Sequence, residues 1–343
     1  MKRLLNTLFV TSEDAYLSLD GDNIVVNRER EEVARFPLHM LQSIISFSYA
    51  GASPALMGEC ANRNIGLSFC TPKGRFLARV SGLRNGNVLL RRQQYRLADD
   101  EEKCCKIARN MIVGKLYNSR WVLERTKRDH EPRINLYDFE NAISILKDQL
   151  YAAKAETCLD SLRGIEGVGA VAYFSVFNQM ILRNKEEFNF QGRNRRPPLD
   201  NMNALLSFSY VLLSNLCASA LESVGLDSYV GFLHKDRPGR ESLALDLMEE
   251  LRPVFADRFS LSAVNNRIVQ AADFVNEEGG AVRLTEEGRK AVLKAWQERK
   301  QEMIVHPYLK EKVSWGLVPY IQALLLARTL RGDVDEYPPF LWK

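Results

Sequence analysis

The spacing of apolar residues along this chain changes once, and that change limits the folds the chain can adopt. Up to about residue 80, apolar and polar residues alternate in short segments, including residues 14–20 and 23–27. Such alternation is typical of strands with one buried face. From Val88 onward, apolar residues recur three and four positions apart, which is typical of helices packed on a core. Glycine and asparagine cluster between the two patterns, at residues 81–86, and indicate a connecting segment.

These patterns predict an α+β chain, in which a small N-terminal β-rich domain precedes a larger all-α catalytic domain. We expect an exposed strand edge of the β-rich domain to mediate dimerisation. The predicted boundaries are 1–80 for the β-rich domain, 81–87 for the linker and 88–343 for the helical domain. Strands are predicted over 14–20, 23–27, 46–49, 65–70 and 75–80, and helices over 53–62, 102–108, 111–127, 137–155, 168–182, 203–221, 242–251, 284–305 and 318–330.

Composition places few limits on function. The 343 residues carry a formal net charge of +4, which by itself does not indicate a nucleic-acid-binding protein. No run approaches the roughly 18 apolar residues of a membrane span, and the N-terminus lacks a signal-like apolar segment. Six scattered cysteines without C-x-x-C spacing favour reduced thiols over a zinc site. We therefore expect a cytoplasmic protein with no membrane attachment.

A single histidine, His234, lies at the start of a basic loop that leads into an acidic helix. The loop cations are Lys235, Arg237 and Arg240, and the acids on one face of the predicted helix are Asp246, Glu249 and Glu250. Imidazole nitrogen and carboxylate oxygens suit a divalent metal, and the cations suit phosphate. The segment therefore favours metal-dependent phosphodiester chemistry, although a solvated helix face with a structural histidine accounts for the same residues.

A second candidate is Glu166, which lies in the Gly-rich stretch 162–170. We interpret this stretch as a turn at the start of a helix, because its glycines let other backbone approach closely. A dinucleotide-binding loop is excluded, since the spacing is G-x-x-G-x-G and no βαβ unit surrounds it. Two interpretations stay open. Residues 167–169 form a loop that grips a DNA backbone, or Glu166 is a metal ligand that folding brings to His234.

The third feature is a segment in which aromatic residues precede an arginine cluster. Phe188 and Phe190 are followed by Arg193, Arg195 and Arg196. Aromatic rings and guanidinium groups together suit stacking and phosphate contact with single-stranded or splayed nucleic acid. A solvated loop whose arginines pair with acids is the alternative.

In their order along the chain, these three segments resemble the CRISPR-associated adaptation endonuclease/integrase, the universal subunit that inserts new spacers. The matching motifs are R-G-x-E-G-x-x-A around Glu166, R-x-R-R-P-P-x-D-x-x-N-A-L-L-S-F-x-Y from Arg193 to Tyr210, and G-F-L-H followed by L-A-L-D-L-M-E-E around His234. A β-rich N-terminal part and a helical remainder are also typical of that family. The resemblance covers essentially the whole chain.

The resemblance implies that Glu166, His234 and Glu249 bind Mg²⁺ or Mn²⁺, with Asp246 as a supporting acid. Many members of the family carry aspartate at the position of Glu249, so whether Glu249 or Asp246 touches the metal directly stays open. The resemblance also implies that four further residues lie near the site or in its basic loop, and we interpret them as DNA contacts. These residues are Arg193, Arg196, Asn203 and Arg240.

The activity implied is strand transfer, in which the 3′-OH ends of short foreign DNA fragments are joined to the CRISPR repeat. With water as the nucleophile, the same site would act as an endonuclease. The resemblance further implies double-stranded DNA as substrate, a homodimer and a small ferredoxin-like partner subunit. Two other functions fit the residues themselves: a general metal-dependent nuclease for branched DNA or RNA, and a non-catalytic DNA-binding scaffold. The aromatic tail 337–343 docks either on a partner or on the protein's own body.

Overall fold

The N-terminal part of the chain contains two sheets. The fold is a computed structural model that describes residues 6–71, 76–80 and 88–343, so the predicted linker at 81–87 lies outside the described residues. The strands and the one helix of this part are β1 (Asn6–Val10), β2 (Tyr16–Asp20), β3 (Asn23–Arg28), β4 (Glu31–Pro37), β5 (Leu41–Ser46), α1 (Pro54–Asn62), β6 (Gly66–Cys70) and β7 (Phe76–Val80). One sheet has the order β1-β5-β6-β7, and the other is the antiparallel meander β2-β3-β4.

The alternating pattern found in the sequence produces the core of this part. Leu17 and Ile24 on the meander and Ile44 and Leu67 on the other sheet are fully buried in one cluster. Leu56 of α1 belongs to the same cluster. Because alternate side chains of a strand point to opposite faces, each sheet contributes one apolar face to this cluster.

The remainder of the chain is mostly helical, as predicted. Its elements are α2 (Val88–Ala98), α3 (Glu101–His130), α4 (Leu136–Ala155), α5 (Leu159–Ser175), α6 (Asn201–Ser223), α7 (Ser242–Glu249), α8 (Arg258–Asn265), β8 (Phe274–Asn276), β9 (Val282–Leu284), α9 (Glu286–Gln301), β10 (Met303–Val305), β11 (Lys312–Ser314) and α10 (Val318–Arg331). The short hairpins β8-β9 and β10-β11 depart from the all-α prediction. Three-residue strands are too short to show alternation in a sequence.

Helix α3 is the centre of the helical part. It runs for 30 residues and joins the two helices predicted over 102–108 and 111–127, because no glycine or proline separates them. The side chain of Asp100 accepts a hydrogen bond from Lys103 N and caps its first turn. Helices α4, α5 and α7 pack against α3. Short connections make α3 and α4, and then α4 and α5, antiparallel neighbours, so α3 and α5 run in the same direction.

The Gly-rich stretch 162–170 is helical, which corrects the prediction of a turn. It lies within α5, where Gly169 packs against α3. A Cβ atom on Gly169 would lie 2.2 Å from Leu116 Cδ2, so a larger residue would force the Leu116 side chain or the two helices to shift. The glycine serves close helix packing, and residues 167–169 do not form a backbone-gripping loop.

Helix α6 is a long apolar helix of the core. Among the described residues, one stretch, Asn201–Glu222, has the length and apolarity of a membrane span. However, 67% of its most apolar window is buried inside the protein. Its neighbours include α7 and α10. Burial on this scale is what a helix at the centre of a large domain shows.

The aromatic tail packs on the protein's own body, which decides between the two alternatives for it. Tyr337 and Phe340 are fully buried. Phe340 N donates to Glu250 Oε2 at 2.7 Å, and the Tyr337 hydroxyl donates to Glu250 Oε1 at 2.5 Å. Asn118 of α3 binds the carbonyl of Phe340 and the amide of Trp342 at 2.7 and 3.0 Å. The tail therefore lies directly behind the helix that carries Glu249.

Candidate active site

Two of the three side chains that the family resemblance makes metal ligands meet at one ammonium group, and the third, His234, lies beside one of them. Lys115 of α3 forms a hydrogen bond through Nζ with Glu166 Oε1 of α5. The same Nζ lies 2.7 Å from Glu249 Oε2 of α7. His234 Nε2 lies 4.0 Å from Glu249 Oε1. Residues far apart in the sequence thus converge because α5 and α7 pack on the same part of α3.

Asp246 holds His234 in a single orientation. Its Oδ1 lies 2.6 Å from His234 Nδ1 and accepts from His234 N at 3.1 Å. Its Oδ2 accepts from the backbone amides of Phe232 and Leu233 at 2.6 and 2.9 Å. A carboxylate next to Nδ1 favours the tautomer with the proton on Nδ1, which leaves the Nε2 lone pair free. Since both oxygens of Asp246 are used in this way, Glu249 is the acid that remains available at the site.

Gly231 makes this arrangement sterically possible. A Cβ atom on Gly231 would lie 2.8 Å from Asp246 Oδ2 and 2.9 Å from Ser242 Cβ. Both neighbours belong to the short helix α7, and both are fully buried. The backbone of the His234 loop can therefore reach the Asp246 carboxylate only because residue 231 has no side chain.

Glu249 is a buried carboxylate surrounded by cations. It is 3% exposed, and Arg252 NH2 lies 3.1 Å from its Oε1. Burial by itself would raise the pKa of Glu249, but the charges of Arg252, Lys115 and His234 outweigh burial and hold the pKa below its usual range. Its Oε2 is held by the Lys115 ammonium. Glu249 therefore stays ionised, and each of its oxygens faces a cation.

Two arginines that contact the same tyrosine ring connect Glu249 to the basic loop around residue 193. The ring of Tyr210 lies between two guanidinium groups, with Arg252 Cζ 5.2 Å and Arg193 Cζ 5.1 Å from its centroid. The Tyr210 hydroxyl donates to Asp257 Oδ1 at 2.7 Å. Burial raises the pKa of Asp257 to about 6, although the Tyr210 hydrogen bond opposes this effect. The arginine loop is thereby fixed relative to the active site.

Three of the four residues interpreted as DNA contacts have structural roles. Asn203 is fully buried, and its side chain binds Arg193, Asp200 and the carbonyl of Gly192. This burial contradicts the prediction of a DNA contact for Asn203, which instead shapes the loop. Arg193 is half-buried and donates to Asn203 Oδ1 at 2.7 Å and to Ser207 Oγ at 3.0 Å.

The loop after His234 is closed by its own arginine. Arg240 donates to the carbonyl of Lys235 and to Ser242 Oγ, so its guanidinium spans the two ends of the loop. Lys235 and Arg237 are exposed on this loop. Arg196 is exposed as well, and it forms no ion pair with the described part of the chain. Arg196, Lys235 and Arg237 are therefore exposed cations that can meet phosphate.

Sequence reasoning missed Lys115, Arg252 and Tyr210. One signal for Lys115 was present, because it is a single cation within the otherwise apolar stretch 111–116. A cation at such a position has to meet an acid or reach solvent. Nothing in the sequence indicated which acids Lys115 would meet.

The residues fit a divalent cation, although the site is not a preformed cage. Within residues 6–71, 76–80 and 88–343, no three His, Cys, Asp or Glu side chains are arranged as a ready metal centre. The Lys115 ammonium stands between the donors and marks a place where positive charge is stabilised. Two carboxylates and one free imidazole nitrogen are suitable ligands for Mg²⁺ or Mn²⁺, with the imidazole favouring Mn²⁺.

Comparison with solved structures supports the fold. A casposase bound to its integration product superposes with a TM-score of 0.82 at 24% identity, covering 98% of this chain and 93% of that one. A Cas1 protein from Thermotoga maritima gives a TM-score of 0.78 at 21% identity, covering 96% and 97% of the two chains. A Cas6-RT-Cas1–Cas2 complex gives 0.82 at 22% identity, covering 100% of this chain and 36% of that one.

Sequence comparison is more specific. The chain matches the family described as CRISPR associated protein Cas1 over residues 8–298. It is 47% identical over 343 residues to CRISPR-associated endonuclease Cas1 1 of Chlorobaculum tepidum, with 100% of both chains covered. It is 51% identical over 348 residues to CRISPR-associated endonuclease Cas1 2 of Rhodospirillum rubrum, again with 100% of both covered. This chain therefore belongs to the Cas1 family of CRISPR-associated endonucleases.

Proposed function

We propose that this chain is the metal-dependent DNA endonuclease and integrase of CRISPR adaptation, which joins the 3′-OH ends of short foreign DNA fragments to the CRISPR repeat. One observation carries the proposal. Glu166, Glu249 and the free Nε2 side of His234 converge on one site, at which the Lys115 ammonium already marks a stable position for positive charge.

In this proposal, Glu166, His234 Nε2 and Glu249 hold Mg²⁺ or Mn²⁺, and Asp246 stays outside the ligand set. A bound divalent cation supplies Lewis acidity at the scissile phosphate and at the attacking oxygen. Asp246 fixes the imidazole, while Arg252 holds Glu249 and keeps it ionised. Lys235, Arg237 and Arg196 are exposed and supply phosphate contacts around the site.

The substrates and partners follow from family membership and are part of the same proposal. We infer double-stranded DNA as substrate, a homodimer formed through the β-rich part, a small ferredoxin-like partner subunit and a cytoplasmic location. The structural relatives support DNA and partner binding, since one is described with its integration product and another as a Cas1–Cas2 assembly.

The two alternative functions agree with the structure to different degrees. The scaffold without chemistry rested on a backbone-gripping loop at residues 167–169, and these residues are helical. It also leaves unexplained why two carboxylates, one of them beside His234, contact one ammonium. The general nuclease uses the same site, so it differs only in the product it makes.

A single reaction separates these functions. A labelled duplex with free 3′-OH ends is incubated with supercoiled target DNA and Mn²⁺, and the products are resolved on a denaturing gel. We expect the label to be joined to the target strand. Cleavage without joining would support the general nuclease, and binding without either product would support the scaffold.

Variants test the residue assignments in the same reaction. Glu166→Ala, His234→Ala and Glu249→Ala each remove one ligand, so each should abolish joining while DNA binding is retained. Asp148→Ala changes an exposed acid on α4 and serves as a matched control with full activity. If Glu166→Ala joins DNA as well as Asp148→Ala does, the ligand set is wrong.

A further inference from the structure

A polar cavity of about 340 Å³ lies at the C-terminal end of helix α3, away from the active site. Its walls are the C-terminal half of α3, the segment that follows α5, and helix α8. None of the proposed metal ligands lines it. The ionisable residues that line it are Arg125, Asp129, His130, Arg133, Arg183 and Arg258. We call this space the distal cavity.

Positive charge in the distal cavity is not balanced. Four arginines and one histidine line it, against the single acid Asp129. That acid is already used, because it pairs with Arg125 at 3.4 Å and with Arg128 at 2.8 Å. Arg133, Arg183 and Arg258 form no ion pair with any carboxylate in the described part of the chain. A cavity with unpaired cations on three walls attracts anions.

Arg258 shows this imbalance most clearly. It lies on α8, and its Cζ is 4.5 Å from the ring centroid of Trp342, which Arg125 also approaches at 5.6 Å. Burial, together with the nearby cations Arg299 and Arg125, lowers the pKa of Arg258 to about 10. An anion in the distal cavity would offset the repulsion among these guanidinium groups.

The distal cavity lies on the same face of α3 as the active site. Val122, Thr126 and Asp129 of α3 line it, and they follow Lys115 by 7, 11 and 14 residues. At 3.6 residues per turn, all three point in nearly the same direction as Lys115. The rise of the helix puts Asp129 about 21 Å from Lys115. This span corresponds to about six nucleotides along one strand of a duplex.

We propose that the distal cavity binds backbone phosphates of the DNA strand that is engaged at the active site, about six nucleotides from the reacting phosphate. The inference rests on the proposed DNA chemistry, and it adds a binding site for the flanking part of the substrate. Guanidinium groups bind phosphate through paired hydrogen bonds, so Arg133 and Arg183 at the mouth and Arg258 inside are the expected contacts.

The test compares two double variants that remove equal charge. Arg133→Ala with Arg183→Ala empties the mouth of the distal cavity, and both residues are exposed, so folding is spared. The control is Lys127→Ala with Lys147→Ala, which changes the groove between α3 and α4, where acids and bases balance. Affinity for hairpin DNA is measured from low to high salt, with a stem of about 4 or about 16 base pairs.

We expect the distal-cavity variant to bind the long stem roughly 10- to 100-fold more weakly than the wild type near 0.1 M salt. The slope of log K against log salt should fall by about 2, since each lost phosphate contact contributes about 0.9. On the short stem, the variant should match the wild type in binding and in Mn²⁺-dependent cleavage. If the variant still cleaves the short stem, the proposed nuclease function holds, whether or not the inference about the distal cavity is correct.

Three outcomes would overturn the inference. Equal losses in both double variants would mean general electrostatic attraction. A loss that does not depend on stem length would place the contacts at the active site itself. The third outcome concerns free phosphate compounds, which would bind the guanidinium groups through the same contacts as the phosphates of the DNA backbone. If pyrophosphate binds the wild type in the micromolar range but not the distal-cavity variant, and DNA affinity is unchanged between them, the cavity serves a free anion.

Discussion

At the scale of single residues, the ammonium of Lys115 is the feature that organises the site. It neutralises two carboxylates that would otherwise face each other, one of them almost completely buried. Removing one partner from a buried charge pair leaves the other charge without compensation, which costs several kcal/mol. The ammonium also holds the place that a divalent cation would need. Lysine and a bound metal would therefore compete for the same oxygens.

Replacing this lysine should separate the two effects. We expect Lys115→Met to lower the free energy of unfolding of the metal-free protein by about 3 kcal/mol, because Glu166 and Glu249 then repel each other. The same variant should bind Mn²⁺ more tightly, since the competing cation is gone. Urea unfolding and calorimetric titration with Mn²⁺ measure the two quantities. Lys147→Met, on the exposed face of α4, is the control. Weaker Mn²⁺ binding by Lys115→Met would contradict competition.

The candidate site was predictable in part at this scale. Glu166, His234 and Glu249 stand in three motifs whose order along the chain is specific, so the sequence alone predicted them together, and their role as ligands stays a prediction. Lys115 and Arg252 belong to no such motif. Their roles depend on which helices pack together, and that information is absent from local sequence. Asn203 shows the opposite error, because a polar residue beside a basic loop became a buried organiser of that loop.

At the scale of elements, helix α5 shows how glycine misleads sequence analysis. Three glycines within one turn and a half suggested a loop, yet the segment is helical because tertiary packing outweighs their weak helix propensity. Only one of the three has a packing reason. A Cβ atom on Gly164 or Gly167 would meet nothing within 4 Å, whereas one on Gly169 would clash with Leu116.

Alanine substitutions in α5 should therefore have opposite signs. Gly167→Ala should raise the free energy of unfolding by about 0.5–1 kcal/mol, because alanine favours the helix and has open space. Gly169→Ala should lower it by about 1–3 kcal/mol, because the new methyl group forces α5 away from α3. Since α5 carries Glu166, cleavage by the second variant should also fall. Urea unfolding of both variants measures the pair, and equal signs would refute the packing argument.

At the scale of the whole molecule, the change in apolar periodicity was enough to predict a β-rich part followed by a helical part. What it could not supply was the path of the elements around one another. The hairpins β8-β9 and β10-β11 are too short to leave a pattern. The destination of the tail 337–343 was also open, because an aromatic segment is equally suited to a partner and to its own core.

Stability of the whole fold should depend on pH through Asp257, which lies where α5, α6 and the arginine loop meet. Its folded pKa of about 6 is above its ordinary value of 3.8 because it is buried. The folded protein thus binds this proton more tightly, so the contribution to stability is complete below the ordinary pKa and is lost as pH rises through about 6.

The matching measurement is urea unfolding of the wild type and of Asp257→Asn at pH of about 4.5 and about 7. The difference in unfolding free energy between them should shift by about 2 kcal/mol against the wild type at the higher pH. Asp148→Asn, an exposed acid on α4, should show no such shift. A constant difference between wild type and Asp257→Asn would exclude Asp257 as the titrating group.

The partners of Glu250 have a consequence for the order of events during synthesis. The carboxylate beside Glu249 receives two of its hydrogen bonds from residues 87 and 90 positions further along the chain. A ribosome-bound chain that has not yet released Tyr337 and Phe340 leaves this buried acid two hydrogen bonds short, with Gln322 as a remaining partner. The support of α7 is thus complete only once the end of the chain has folded.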